Sequence, residues 1–132
     1  MAHMTPNDAF LFEQAFRETR ANHGTELTFY LPGMIRYESL RGRYPALSLT
    51  GNRCELQCEH CKGRLLDPMI QVTEPDDLLK KAVYLEKRGA HGLLLSGGSD
   101  REGRLPWPKY ADAIRETAET TGLFLSAHVG FP

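Results

Sequence analysis

The chain's three cysteines all fall within one short run, Cys54-Glu-Leu-Gln-Cys58-Glu-His-Cys61, directly after the apolar stretch Pro45–Gly51. Three thiolates can hold three irons of an iron-sulfur cube and leave the fourth without a protein ligand, so that iron becomes a Lewis-acidic docking point. Three other chemistries compete. A disulfide is disfavoured by the odd cysteine count, the lack of an apolar signal stretch and the mixed-charge composition, which point to a reducing compartment. Zinc is open to Cys54, Cys58 and Cys61 with His60 or a distant residue such as His23, yet zinc sites usually join two separated two-ligand knuckles and only one thiol cluster is present. A thioredoxin-like pair at Cys58-Glu-His-Cys61 should open a helix to lower its thiolate pKa. Lys62-Gly-Arg-Leu-Leu-Asp-Pro68 does not read as a helix opening, and Cys54 would have no role.

The elements that must position these cysteines alternate strand with helix. Ala46 to Thr50 reads as a strand. Thr73-Glu-Pro-Asp76 then resembles a capping box opening a helix whose inner face is Leu78, Leu79, Ala82 and Val83. Gly89 closes that helix, with Lys87 and Arg88 in the last turn, where positive charge suits the dipole. Gly92 to Ser96 is a second strand, apolar without alternation, as a strand buried on both faces would be. A loop to Trp107 follows, with Trp107 its packing anchor. Pro108 starts a second helix with Tyr110, Ala111, Ile114 and Ala118 inward, Gly122 ends it, and Leu123 to Ala127 is a third strand. This order predicts an α/β fold with parallel pairing through crossovers.

In parallel α/β structures chemistry gathers at the carboxyl ends of the strands. That rule selects Asn52 and the three cysteines after the first strand, Ser96, Gly97, Gly98, Ser99 and Asp100 after the second, and His128 after the third. A histidine at a strand end is more often hydrogen-bonded packing than a ligand, and its rim position is what makes His128 a catalytic candidate. His91 precedes its strand, lies at the opposite edge and reads as structural.

The C-x-x-x-C-x-x-C spacing after a first strand resembles the signature of the radical SAM superfamily, over about residues 45 to 129. The resemblance implies that Cys54, Cys58 and Cys61 bind a 4Fe-4S cluster whose open iron chelates S-adenosylmethionine. In that family a second strand ends in a glycine-rich stretch that contacts the methionyl amino group, and Gly92-Leu-Leu-Leu-Ser-Gly-Gly-Ser99 has that form. The family's acidic residue directly after the glycines is here replaced by Ser99, with Asp100 next. The position before the last cysteine, commonly aromatic and near the adenine, is His60. As the resemblance implies, an electron donor would reduce the cluster, cleavage of S-adenosylmethionine would give a 5′-deoxyadenosyl radical, and that radical would take a hydrogen from a substrate the sequence does not identify. Phe29-Tyr-Leu-Pro-Gly-Met-Ile-Arg-Tyr-Glu38 and Ser96-Gly-Gly-Ser-Asp-Arg-Glu-Gly-Arg104 look like two-component lipoyl synthases of archaeal type, which implies sulfur insertion, a transferase chemistry. The reading from a different class is a non-catalytic zinc-binding module on the same cysteines.

With 132 residues, 41% of them hydrophobic, and a net charge of −1, the composition is that of a soluble domain, with neither nucleic acid nor an anionic membrane implied and a cytoplasmic location expected. Met1 to Met4 reads as an expression scar, and residues 5–44 as an extension. In it, a packing helix from Pro6 to Gly24, capped by Asn7 or Asp8, carries Phe10, Leu11, Phe12, Ala15 and Phe16, and a short strand runs to Leu31 before Pro32-Gly33. Arg36 to Arg43 is a polar, basic connection whose Arg36, Arg41 and Arg43 offer themselves to an anion, though such runs are more often solvated. Residues 45–132 are then expected to be the first half of a partial parallel (β/α) barrel with about three of its strands. The open edge of the third strand calls for completion by further chain, a partner or a second copy.

Overall fold

A computed structural model describes residues 5–26 and 31–130. The strand expected over Leu27 to Leu31 falls on residues 27–30, and the expected scar on residues 1–4, both outside the described residues. The chain divides into two compact units, Met1–Tyr30 and Leu31–Pro132.

The first unit is a helix, α1, over Pro6–His23. Its cap is Thr5 rather than Asn7 or Asp8. The Thr5 hydroxyl accepts from the Asp8 amide at 3.2 Å while the Asp8 carboxylate accepts from the Thr5 amide at 2.9 Å, a reciprocal capping box with proline in the first turn. The Thr5 hydroxyl also donates to Asp8 Oδ2 at 2.7 Å, and this bond first, with that from the Thr5 amide second, holds the Asp8 carboxyl below its usual value. Phe10, Leu11, Phe12 and Phe16 are exposed on this helix, where the sequence predicts a packed face.

The second unit begins with a tight antiparallel pair, β1 (Arg36–Tyr37) and β2 (Leu40–Arg41), where the sequence reads as an irregular basic connection. Glu38 takes the left-handed conformation between them, φ +53°. Next come β3 (Ala46–Ser48), β4 (Ile70–Gln71), α2 (Pro75–Lys87), β5 (Gly92–Ser96), α3 (Trp107–Thr120) and β6 (Phe124–Ala127). The four strands β3 to β6 form one all-parallel sheet in the order β4-β3-β5-β6. Three of them are the predicted strands, and β4 is an addition. The fold is therefore mixed α/β with a four-stranded parallel sheet. No helix among the described residues is long and apolar enough to cross a membrane.

Strand periodicity sorts the sheet's two faces. Leu47, Leu49, Leu93, Leu95 and Val72 are buried with Leu78 and Ala82 of α2 and Tyr110 of α3, forming the core. The opposite face carries Ser48, Gly92, Leu94, Ser96, Phe124 and Ser126 in register, and is small and polar toward its carboxyl end. Tyr44 lies across the amino end of that face. A Cβ on Gly92 would collide with its ring, and the Tyr44 hydroxyl reaches Phe124 O at 3.1 Å and Ser126 Oγ at 3.2 Å.

Two helix readings change in detail. α2 is preceded by Glu74 with no side-chain cap, so Thr73 does not form the expected capping box. The stripe of α3 that faces the core is Tyr110, Ala113, Ile114 and Thr117, leaving Ala111 and Ala118 exposed. Thr117 sits in the core because its hydroxyl is already satisfied by Ala113 O at 2.7 Å.

Candidate functional site

The cysteine loop leaves the sheet at the carboxyl end of β3 through a tight bend. The buried Ser48 hydroxyl donates to Gly51 O at 2.6 Å, and Gly51 takes φ +60°, a conformation that suits glycine. Arg53 N donates to Thr50 O at 3.2 Å and brings Cys54 over the end of β5. Beyond it the chain coils through Gln57 (φ +44°), Lys62 (φ +48°) and Gly63 (φ +76°). The Gln57 side chain donates to Cys54 O at 2.6 Å, and Cys58 O accepts from both Cys61 N and Lys62 N. All three cysteines are free and half-buried. A short 3-10 turn, Arg64–Leu66, then returns the chain to β4.

The glycine pair after β5 meets this loop directly. A Cβ on Gly98 would overlap the Arg53 carbonyl and stand 2.6 Å from Cys54 Cβ, so only glycine fits there without displacing the cysteine loop. Thr50 Oγ1 accepts from Gly98 N at 2.7 Å, and Glu55 N donates to Ser99 O at 2.8 Å. Two segments more than forty residues apart in sequence are thus locked backbone to backbone. Asp100 has a different task from its neighbours: its Oδ1 accepts from Glu102 N at 3.0 Å and Arg104 N at 2.8 Å, so this carboxylate shapes its own turn.

A cleft of about 320 Å³ opens beside this junction, walled by Thr50, Arg53, Gly98, Ser99, Arg104 and Lys109. Its floor includes Tyr110, fully buried, whose single phenolic proton is shared between Leu49 O at 2.9 Å and Val72 O at 3.0 Å. Burial, with the nearby charges of Glu74 and Asp77, raises the Tyr110 pKa above its ordinary value. The phenol is therefore a neutral structural donor at neutral pH.

The sequence-selected residues divide clearly. Cys54, Gly97, Gly98, Ser99 and Asp100 lie together at the carboxyl rim. His60 is exposed on the turn between Cys58 and Cys61, and His128 is exposed, with its amide extending the ladder to Leu95 O at 2.9 Å. Neither histidine lines the cleft. The chain finds no match among protein-family models, curated proteins or solved structures.

Three free thiols with no competing partner suit a thiophilic metal or iron-sulfur group in donor chemistry. Among the described residues, no group of three His, Cys, Asp or Glu side chains is gathered to hold a metal ion. Sequence reasoning missed Thr50, Arg104, Lys109 and Tyr110. Thr50 had a signal, as the last residue of an apolar strand on the selected rim. Tyr110 had none, because a tyrosine on the inner stripe of a helix reads simply as core.

Proposed function

We propose that this chain is the cluster-bearing part of a radical SAM enzyme, with Cys54, Cys58 and Cys61 as ligands of a 4Fe-4S cluster and Ser96 to Asp100 along the bound S-adenosylmethionine. The single observation that carries this reading is the abutment of Gly98 on Cys54, with Thr50 and Glu55 bonded across the junction. Neighbouring strands β3 and β5 bring these two ends together, and the bare glycine backbone against the thiol loop is what this reading asks of the pair. When bound, such a cluster supplies one electron for reductive cleavage of S-adenosylmethionine.

The protein's own part is positional. The glycines keep the strand end free of side chains beside the cysteine loop, and Thr50 fixes the direction of the Gly98 amide. The core packs on one face of the sheet, and the small, polar opposite face with Ser48, Ser96 and Ser126 suits the inside of a partial parallel barrel. Among the described residues the outer edge of β6 pairs with no other strand and Phe124 is 75% exposed, which suits continuation of that barrel by further strands from this or another chain. An electron donor and a substrate complete the scheme. Sulfur insertion of the lipoyl type is the reaction the sequence resemblance favours.

The test is anaerobic reconstitution. It should load about four irons and four sulfides per chain and lose most of them when any one of Cys54, Cys58 or Cys61 becomes alanine. With strong reductant, the loaded protein should release 5′-deoxyadenosine from S-adenosylmethionine, and Gly98→Val should weaken binding of that cofactor. Stoichiometric zinc with no iron uptake would replace this reading with the zinc module.

A further inference from the structure

At the amino-terminal end of the same sheet, away from the cysteines, a second cleft of about 250 Å³ is bounded by Arg41 of β2, Arg43, and Arg88 at the end of α2, over an apolar floor that includes Ile70, Leu85 and Ala90. None of the three arginines has a carboxylate partner among the described residues, and no acidic residue lines the cleft. We propose that this cleft binds a small phosphorylated molecule, its phosphate among the three guanidinium groups and its carbon skeleton on the apolar floor.

The three cations border one concavity with no carboxylate between them, Arg88 lying against the Tyr84 ring at 5.6 Å and Arg43 on His91, so their charge is open to an incoming anion. The guanidinium fork matches phosphate oxygens two at a time, which an ammonium cannot do. Arg43 is already oriented. Its Nη1 donates to His91 Nε2 at 3.2 Å, and because arginine can only donate, this ring nitrogen is the acceptor. The backbones are joined as well, with His91 N on Arg43 O at 2.8 Å, so the bend that carries this arginine is tied to the segment leading into β5. The carboxyl end of α2 would itself repel an anion, but its last carbonyls are occupied: Leu85 O accepts from Arg88 N and Ala90 N, and Glu86 O from Gly89 N. The Glu86 carboxylate is turned away to Gly122 N at 2.6 Å. Size limits the ligand, since the cleft is smaller than the roughly 300–1,000 Å³ of drug-sized sites. A chain of net charge −1 has little long-range pull on a polyanion, which favours a small molecule over nucleic acid.

The experiment is calorimetric titration of the full chain with inorganic phosphate and with propyl phosphate, at ionic strength matched with chloride. Saturable one-to-one binding is expected, with each methylene of the propyl group tightening it by about three- to fourfold. Arg41→Gln, Arg43→Gln and Arg88→Gln should each weaken binding about ten- to a hundredfold, whereas Arg115→Gln, an exposed arginine on α3, should leave it unchanged. Cys58→Ala should also leave it unchanged, which keeps this test independent of the cluster. Unaltered binding in the three arginine variants, or no saturation above the chloride control, would overturn the proposal. Equal affinity for the two phosphates would overturn the ester in favour of a free anion, and tighter binding of a single-stranded RNA than of either phosphate would assign the cleft to nucleic acid.

Discussion

Gly98→Ala should unfold the chain earlier and loosen the cysteine loop, for a steric reason that can be isolated. Gly98 does not adopt a positive φ, so alanine meets no backbone penalty there. Its methyl group would be driven into the Arg53 carbonyl and within 2.6 Å of Cys54 Cβ, and neither backbone nor a half-buried cysteine can yield as a flexible side chain would. Overpacking of this kind typically costs about 1–3 kcal/mol. For a unit of this size each kcal/mol lowers Tm by about 4–8 °C, so a fall of about 4–24 °C is expected. Gly89→Ala is the matched control. Nothing lies within 4 Å of its added methyl, and its φ of +85° leaves only the left-handed penalty, about 1–2 kcal/mol. The assay is thermal unfolding by circular dichroism, paired with the rate at which a disulfide reagent titrates the three thiols in the folded state. Gly98→Ala should speed that thiol reaction and Gly89→Ala should not, even if the two melt alike. A Gly98→Ala protein that melts within about 2 °C of the parent, with unchanged thiol kinetics, would refute the contact between strand end and cysteine loop and remove the observation on which the functional reading rests.

Thr50→Val should cost about 1–3 kcal/mol by urea denaturation, because it strips the acceptor from Gly98 N, and Thr50→Ser should recover most of the loss. Tyr110→Phe should cost about as much, since it leaves Leu49 O and Val72 O without their shared donor, and hydrogen exchange should show the end of β3 and all of β4 deprotected together. Because burial raises the Tyr110 pKa above the ordinary 10.0, its contribution is fully present below about pH 10 and is lost as pH rises through its folded-state value. The urea midpoint should therefore fall above about pH 10 in the parent and fall less steeply in Tyr110→Phe. Acidification should fray α1, because the lowered Asp8 carboxyl supports the capping box only while ionised. Helical circular dichroism measured down through the carboxylate range would show a smaller change in Asp8→Asn.

Much of the α/β frame was legible because its signals are strong and local. The apolar runs at Ala46 and Gly92, the glycine after α2 and the proline near the start of α3 leave few alternatives, and the strand-end rule then brought the cysteines and glycines to one rim without any reference to a family. What escaped has physical causes. β4 is two residues long, too short for periodicity to register, and exists by pairing with a neighbour distant in sequence. Thr117 is missing from the expected inner face of Tyr110, Ala111, Ile114 and Ala118 because pattern reading sorts by polarity, whereas its hydroxyl is satisfied within its own helix. Thr5 was passed over as a cap for the more polar residues inside the helix. The basic stretch from Arg36 has its arginines exposed, as a solvated run would, but it also folds into a two-residue strand pair too short for its polar composition to signal.

The Tyr110 phenol grips the chain at both points where the cysteine-bearing excursion is rooted, Leu49 on departure and Val72 on return. Part of the closure entropy of that excursion is thus met by the scaffold. Within it, β4 belongs to the sheet, Leu66 is buried and Glu55 is bonded to Ser99, so the excursion is held at its roots and along its length alike.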